Sequence, residues 1–218
     1  MYFLHMSVKS LIRRPFRYSY FYATIYIIAI NVVAWLVSIR YPIVKAYMAM
    51  SPLAIHSGYV WQFFTYMFAH DDFSHLFVNM FGLFMFGTSV ERSMGSKEFL
   101  CYYFFTGIMA GITSYAIFAL SGEWDTYLLG ASGALFGVLL AFAVINPDAK
   151  VLLWGIIPLR ANVMMIGYTA IEIVSQVFSF QQSVAHFTHL AGFAWAWCYF
   201  LVRFGINPAK RLVRRRVV

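Results

Sequence analysis

The sequence predicts an all-α polytopic membrane protein: a bundle of six transmembrane helices whose long first loop lies in the membrane interface. Three observations carry this reading. The 218-residue chain is 62% hydrophobic and only 11% charged, where a soluble domain carries about 25% charged residues. The apolar residues gather in six runs, at about 18–38, 75–90, 99–120, 131–145, 161–178 and 184–204, near the ~20 residues a helix needs to cross a bilayer. None shows the ten-residue alternation of an outer-membrane barrel strand. The cations are also one-sided. With the N-terminus inside, only Arg40 and Lys45 fall in outside loops, and the other 14 of the 16 Lys and Arg face the cytoplasm. This is the positive-inside pattern, and it puts both termini in the cytoplasm.

Three units follow. Residues 1–17 form a basic cytoplasmic segment, 18–205 the six-helix domain, and 206–218 a basic cytoplasmic tail whose Arg214, Arg215 and Arg216 suit anionic headgroups. The formal charge of +8 is thereby spread along the inner membrane face, and no folded basic surface remains for nucleic acid. The first residues lack the apolar core and small-residue cleavage site of a secretory signal, so the first run is expected to be the insertion signal. Cys101 and Cys198 lie in apolar runs without metal-ligand spacing and are expected as buried hydrophobes. No cofactor and no metal are expected. The chain's brevity and lack of further domains point to a bacterial inner membrane.

The loops are unequal. Residues 39–74 face outside and contain SPLAIHSGYVWQFFTYMFAHDD. A structureless loop of that length is uncommon, so short interfacial helices are expected, with Trp61, Phe63, Phe64 and Tyr66 at headgroup level. The inside loop NPDAKVLLWGIIPLR carries an apolar patch expected to dip into the inner interface.

Polar groups inside apolar runs are costly and need a reason. His75 and Asn79 are four apart and share a helix face. They either pack helices together or aim two donors at one point. The fourth run opens on Gly130-Ala131-Ser132-Gly133. Ser132 then sits in the first turn of a helix, where unpaired N–H groups and the positive dipole end gather. The glycines let the backbone turn and let another group approach. The same motif serves as an N-cap or a small-residue packing face. It matches the nucleophile elbow G-x-S-x-G only in part, since Ala134 replaces the last glycine.

His186 and His189 open the sixth run, three residues apart. They can be core residues, or with His75 a three-His zinc site, although the expected carboxylate ligands and an HExxH motif are missing. Histidine is also the usual general base for a serine. Gly192 and Ala196 form a small face that packs the sixth helix on the start of the fourth and so brings His189 to Ser132. By the charge-derived topology, His75, Ser132 and His189 all lie in the outer halves of their runs, at similar depth.

Five stretches in order, WQFFTYMFAH (61–70), HLFVN (75–79), ERSMGS (91–96), GASG (130–133) and HLAG (189–192), resemble the rhomboid intramembrane serine proteases of the six-span bacterial type. The resemblance runs from about residue 51 to 205. It implies Ser132 as nucleophile and His189 as base. It implies an oxyanion hole of His75, Asn79 and the Ser132 N–H. It further implies a water-filled cavity open to the outside, bordered by the first loop and gated by the fifth span and the last outer loop. The implied substrates are single-span membrane proteins, cut in or near the membrane at small residues, so the expected partners are a transmembrane substrate and the bilayer. Two positions depart from the family pattern: Gln62 follows Trp61 where an arginine is common, and Ala196 replaces a glycine.

No acid is expected beside His189, so the site reads as a dyad, not a triad. His70 and His186 rank second, as cavity-lining candidates. Glu172, the one carboxylate within an apolar run, is left outside the catalytic set, as a structural pair or a cavity-facing group. Two other functions compete. A rhomboid-like binder that grips transmembrane helices without cutting them is opposed by the retention of both Ser132 and His189. A small transporter is opposed by the lack of an inverted repeat.

Overall fold

The computed structural model describes residues 13–153, 156–178 and 183–213. The Arg214–Arg216 tail and most of the last outer loop lie outside the described residues. The described chain is mainly helical, and each apolar run becomes a helix. These are α1 (Ala23–Arg40), α5 (Phe73–Met94), α6 (Ser96–Ser121), α7 (Ser132–Ile145), α8 (Ala161–Phe178) and α9 (Ser183–Tyr199). Between α1 and α5 stand the short helices α2 (Pro42–Met48), α3 (Pro52–His56) and α4 (Gln62–Thr65). A last helix, α10 (Pro208–Val213), follows α9. Among the described residues, α1, α5 and α6 are long and apolar enough to cross a membrane, while α7 and α8 are apolar but shorter.

Local chemistry explains the boundaries. Asp72 is extended and caps α5: its carboxylate accepts from the His75 N–H at 2.8 Å, which satisfies a donor that a helix start leaves bare. Pro42 and Pro52 stand in the first turns of α2 and α3, where a missing N–H costs nothing. α5 widens into a π-turn at Leu83–Gly87, and α9 continues into another at Phe200–Phe204.

Two buried glutamates tie helix ends together. The N-cap of α1, Tyr22, offers no side-chain cap. Glu91 of α5 replaces it, accepting from Ala23 N at 2.6 Å, Thr24 N at 2.9 Å and Thr24 Oγ1 at 2.6 Å, and from the Ser96 hydroxyl. A carboxylate at a helix N-terminus also meets the positive end of the dipole. Glu98 of α6 accepts from Arg203 through both Nε (2.7 Å) and Nη2 (2.9 Å), and from the Tyr199 hydroxyl at 2.6 Å. This forked pair fastens the end of α9 to the start of α6.

Two expectations, on Tyr66 and Cys101, need correction, and one loop gains structure. Between α7 and α8, a segment the sequence reading left without secondary structure, stands an antiparallel pair of strands, β1 (Lys150–Leu153) with β2 (Ile157–Arg160). Tyr66 is fully buried, because its hydroxyl donates to Gly107 O at 2.6 Å on α6; Trp61 and Phe64 do lie exposed. Cys101 is exposed on the outside of α6, while Cys198 is half-buried. A cavity of about 660 Å³ lies beside α8, lined by Leu140, Met165, Thr169, Phe193 and Trp197 among others.

Candidate active site

The geometry around Ser132 starts with Gly130, whose φ of +112° is open to glycine and few other residues. Its N–H donates to Tyr66 O at 2.9 Å, so the first loop holds the turn that leads into α7. Two residues earlier, Leu128 and Met50 exchange a pair of backbone bonds at 2.8 Å. The next N–H, that of Ala131, donates to Nε2 of the buried His70 at 3.4 Å. The loop itself is held by Gln62, which accepts from Ser51 N at 3.1 Å and donates to Tyr47 O at 3.3 Å. Glutamine thus anchors the loop at the position where the family often carries arginine.

Ser132 is the first residue of α7 and is half-buried. Helix α9 reaches it through backbone contact. A Cβ placed on Gly192 would lie 2.1 Å from Gly133 O, so the two helices touch where no side chain intervenes. Ala196, one turn further on, is fully buried. The Thr188 hydroxyl shares a 2.7 Å hydrogen bond with that of Ser114 on α6, which fixes the rotation of α9. His189 follows directly. Its ring stacks on Phe136 with centroids 4.1 Å apart and planes 9° apart. Phe136 stands four residues after Ser132, on the same face of α7. Ser132 Oγ and His189 Nε2 make no hydrogen bond among the described residues.

His75 packs on the same turn. Its Nε2 would lie 2.6 Å from a Cβ on Gly130, so only glycine leaves room for the ring. His70 stands edge-on to it at 5.0 Å. Asn79 is buried, and its Nδ2 donates to His75 O at 2.8 Å, while its Oδ1 has no partner among the described residues. The amide keeps a second N–H for another acceptor. The structure therefore brings His75, Asn79, Ser132 and His189 to the start of α7. His70 belongs to the wall: burial, and then the neighbouring His75, push its pKa down to about 4, so it stays a neutral acceptor.

Glu172 corrects the expectation that no acid stands beside His189. Its Oε1 lies 3.0 Å from His189 Nδ1 and its Oε2 lies 2.6 Å from His186 Nδ1. His186, expected to line a cavity, is this carboxylate's second partner. The contact was not legible in the sequence, because it depends on how α8 is rotated against α9; the only signal was a lone carboxylate in an apolar run. One ligand atom from each of Glu172, His186 and His189 lies within 4.8 Å of the others, a donor set that suits zinc. The zinc set weighed from sequence had used His75 in place of the glutamate.

With this geometry in view, the comparisons with known proteins are direct. The rhomboid domain family model matches residues 57–206, and the chain belongs to the rhomboid family. It is 40% identical over 92 residues to rhomboid protein 1, mitochondrial, of Saccharomyces cerevisiae, covering 40% of this chain and 25% of the relative. It is 35% identical over 86 residues to the putative rhomboid protease YdcA of Bacillus subtilis, covering 39% of this chain and 41% of the relative. It is 30% identical over 127 residues to presenilin-associated rhomboid-like protein A, mitochondrial, of Danio rerio, covering 57% of this chain and 33% of the relative. The chain thus spans about a quarter to two-fifths of the length of these relatives.

Proposed function

We propose that this chain is an intramembrane serine endopeptidase that cleaves single-span membrane proteins with Ser132 and His189. The observation that carries the reading is the backbone contact of Gly192 on Gly133 O. The reading is further supported by the His189 ring, three residues before that contact, which stacks on Phe136, one turn after Ser132 on α7. Neutral His189 takes the Ser132 proton as Oγ attacks the scissile carbonyl, then gives it to the leaving amine. Water, deprotonated in turn by His189, releases the acyl group and restores the serine. The N-terminus of α7, His75 and the free N–H of Asn79 supply donors for the developing oxyanion, each worth roughly 3 kcal/mol in a water-poor site.

The membrane topology, with both termini cytoplasmic and the site in the outer half, follows from the distribution of Lys and Arg. The test is cleavage of a tagged single-span reporter reconstituted in liposomes with wild type, Ser132→Ala and His189→Ala. Cleavage by wild type alone is expected. Equal cleavage by all three would refute the assignment and return Ser132 to helix packing. Absence of both cleavage and fluorophosphonate labelling of wild type would favour a helix-binding member of the family that does not cut.

A further inference from the structure

The stack on Phe136 fixes the plane of the His189 ring and leaves one freedom open. A half-turn about the Cβ–Cγ bond keeps the ring in that plane and exchanges its Nδ1 edge with its carbon edge. Stacking is nearly indifferent to this flip, yet chemistry is not, because the flip and the tautomer together decide which nitrogen faces Ser132. Glu172 removes the freedom. It is 7% exposed, and its Oε1 stands 3.0 Å from His189 Nδ1. An ionised carboxylate only accepts, so that contact puts the proton on Nδ1 and leaves the Nε2 lone pair free. The second oxygen is occupied by His186 Nδ1 at 2.6 Å, with the two imidazoles nearly perpendicular at 87°. The carboxylate is thus held at both oxygens, and its ion pairs among the described residues are with these two histidines.

We propose that Glu172 is a positioning residue that fixes the tautomer and orientation of His189, with His186 clamping the carboxylate for that task. The proposal rests on the reading of Ser132 and His189 as nucleophile and base. In it, the Ser132 Oγ–H proton moves to His189 Nε2 as Oγ bonds to the scissile carbon. The Nδ1–H stays on Nδ1, bonded to Glu172 Oε1, and the carboxylate faces the imidazolium that forms. Nothing passes to Glu172 itself. The arrangement does the work of the acid in a three-member triad, although the carboxylate comes from a neighbouring helix and is shared between two imidazoles.

The isosteric change Glu172→Gln separates position from shape. The amide puts an NH2, which only donates, where one of the two carboxylate oxygens accepted, so one of the histidines must turn or change tautomer. The full chain is tested in liposomes by reporter cleavage and by the rate of fluorophosphonate labelling, with Ser132→Ala and His189→Ala beside it. The imidazole nitrogens are read by ¹⁵N NMR of histidine-labelled protein, assigned by the signal missing in His189→Ala. For Glu172→Gln we expect kcat to fall at least ~100-fold, by analogy with loss of the acid in a triad, with KM within about threefold. In wild type we expect His189 as the Nδ1–H tautomer, and in the variant an Nε2–H population. A Glu172→Gln labelling rate within threefold of wild type, with both dyad variants inactive, would overturn the proposal and leave the dyad standing. If Ser132→Ala and His189→Ala are labelled like wild type, the dyad reading fails and the proposal falls with it. If Glu172→Gln does not fold, the wild-type spectrum decides alone, since an Nε2–H tautomer there overturns the proposal.

Discussion

Replacing Gly192 with alanine adds one methyl group at the contact that sets the site. The new Cβ would lie 2.1 Å from Gly133 O, 3.0 Å from its carbonyl carbon and 3.4 Å from its Cα. A carbon normally approaches a carbonyl oxygen to about 3.3 Å, so the helices must part by about 1.2 Å. No flexible side chain can absorb this, because the obstacle is backbone. The shift falls three residues from His189 and one from Ser132. Overpacking of this kind costs about 1–3 kcal/mol, and a displacement of ~1 Å at a reacting pair costs on the order of 100-fold in rate. Gly192→Ala should therefore lower the thermal midpoint moderately and reporter cleavage severely. Gly167→Ala on α8 is the control, since a Cβ there meets nothing within 4 Å and alanine favours the helix. A Gly192→Ala protein with wild-type cleavage would refute the argument that backbone contact places the base.

Three other outcomes are expected. Asn79→Ala should lower kcat ~100-fold or more with little change in KM, measured on the same reporter; a change confined to KM would make Asn79 a binding group. Stability should fall as pH drops from about 6.5 towards 4. His70 is held neutral in the fold down to about 4 while its unfolded form takes up a proton near 6.5, a difference of roughly 3 kcal/mol that is absent above pH 6.5. Urea titrations across that range should show a smaller slope for His70→Gln. Cleavage should survive chelators and stop with a fluorophosphonate. Loss of activity in EDTA, restored by Zn²⁺, would turn Glu172, His186 and His189 into metal ligands.

Periodicity and charge made the helices legible, because a membrane span reports itself locally in about 20 residues. The placement of Ser132 was legible for the same reason: GASG fixes a turn and a helix start without distant help. What escaped the reading lies between elements. Glu91 caps α1 from 67 and 68 residues away, and nothing near Tyr22 announces it. Tyr66 looked interfacial by type, but Gly111 on α6 makes room for its ring: a Cβ there would lie 2.7 Å from Tyr66 Cε1. Glu172 meets His186 and His189 only once α8 is set against α9. In the ribbon 150–160, Pro158 and the apolar run obscured the strand pattern, since proline removes a ladder donor.

On the proposed topology, the depth of the site follows from the length of α7. Its 14 residues cover about 21 Å at ~1.5 Å per residue, some 9 Å less than the ~30 Å hydrocarbon thickness. A helix that reaches the inner boundary with this length starts well below the outer one. The backbone ahead of it is then irregular at membrane depth, which is tolerated only where protein or water satisfies it. The first loop meets that demand. Met50 pairs with Leu128, Tyr66 O takes the Gly130 N–H, and His70 takes that of Ala131. These contacts do not use the donors of Ser132 and the residues after it, and unpaired N–H groups at a helix start are what an oxyanion requires. On the proposed topology the short α7, the long first loop and the glycine turn are one device: a helix N-terminus below the outer boundary, with its approach walled by protein.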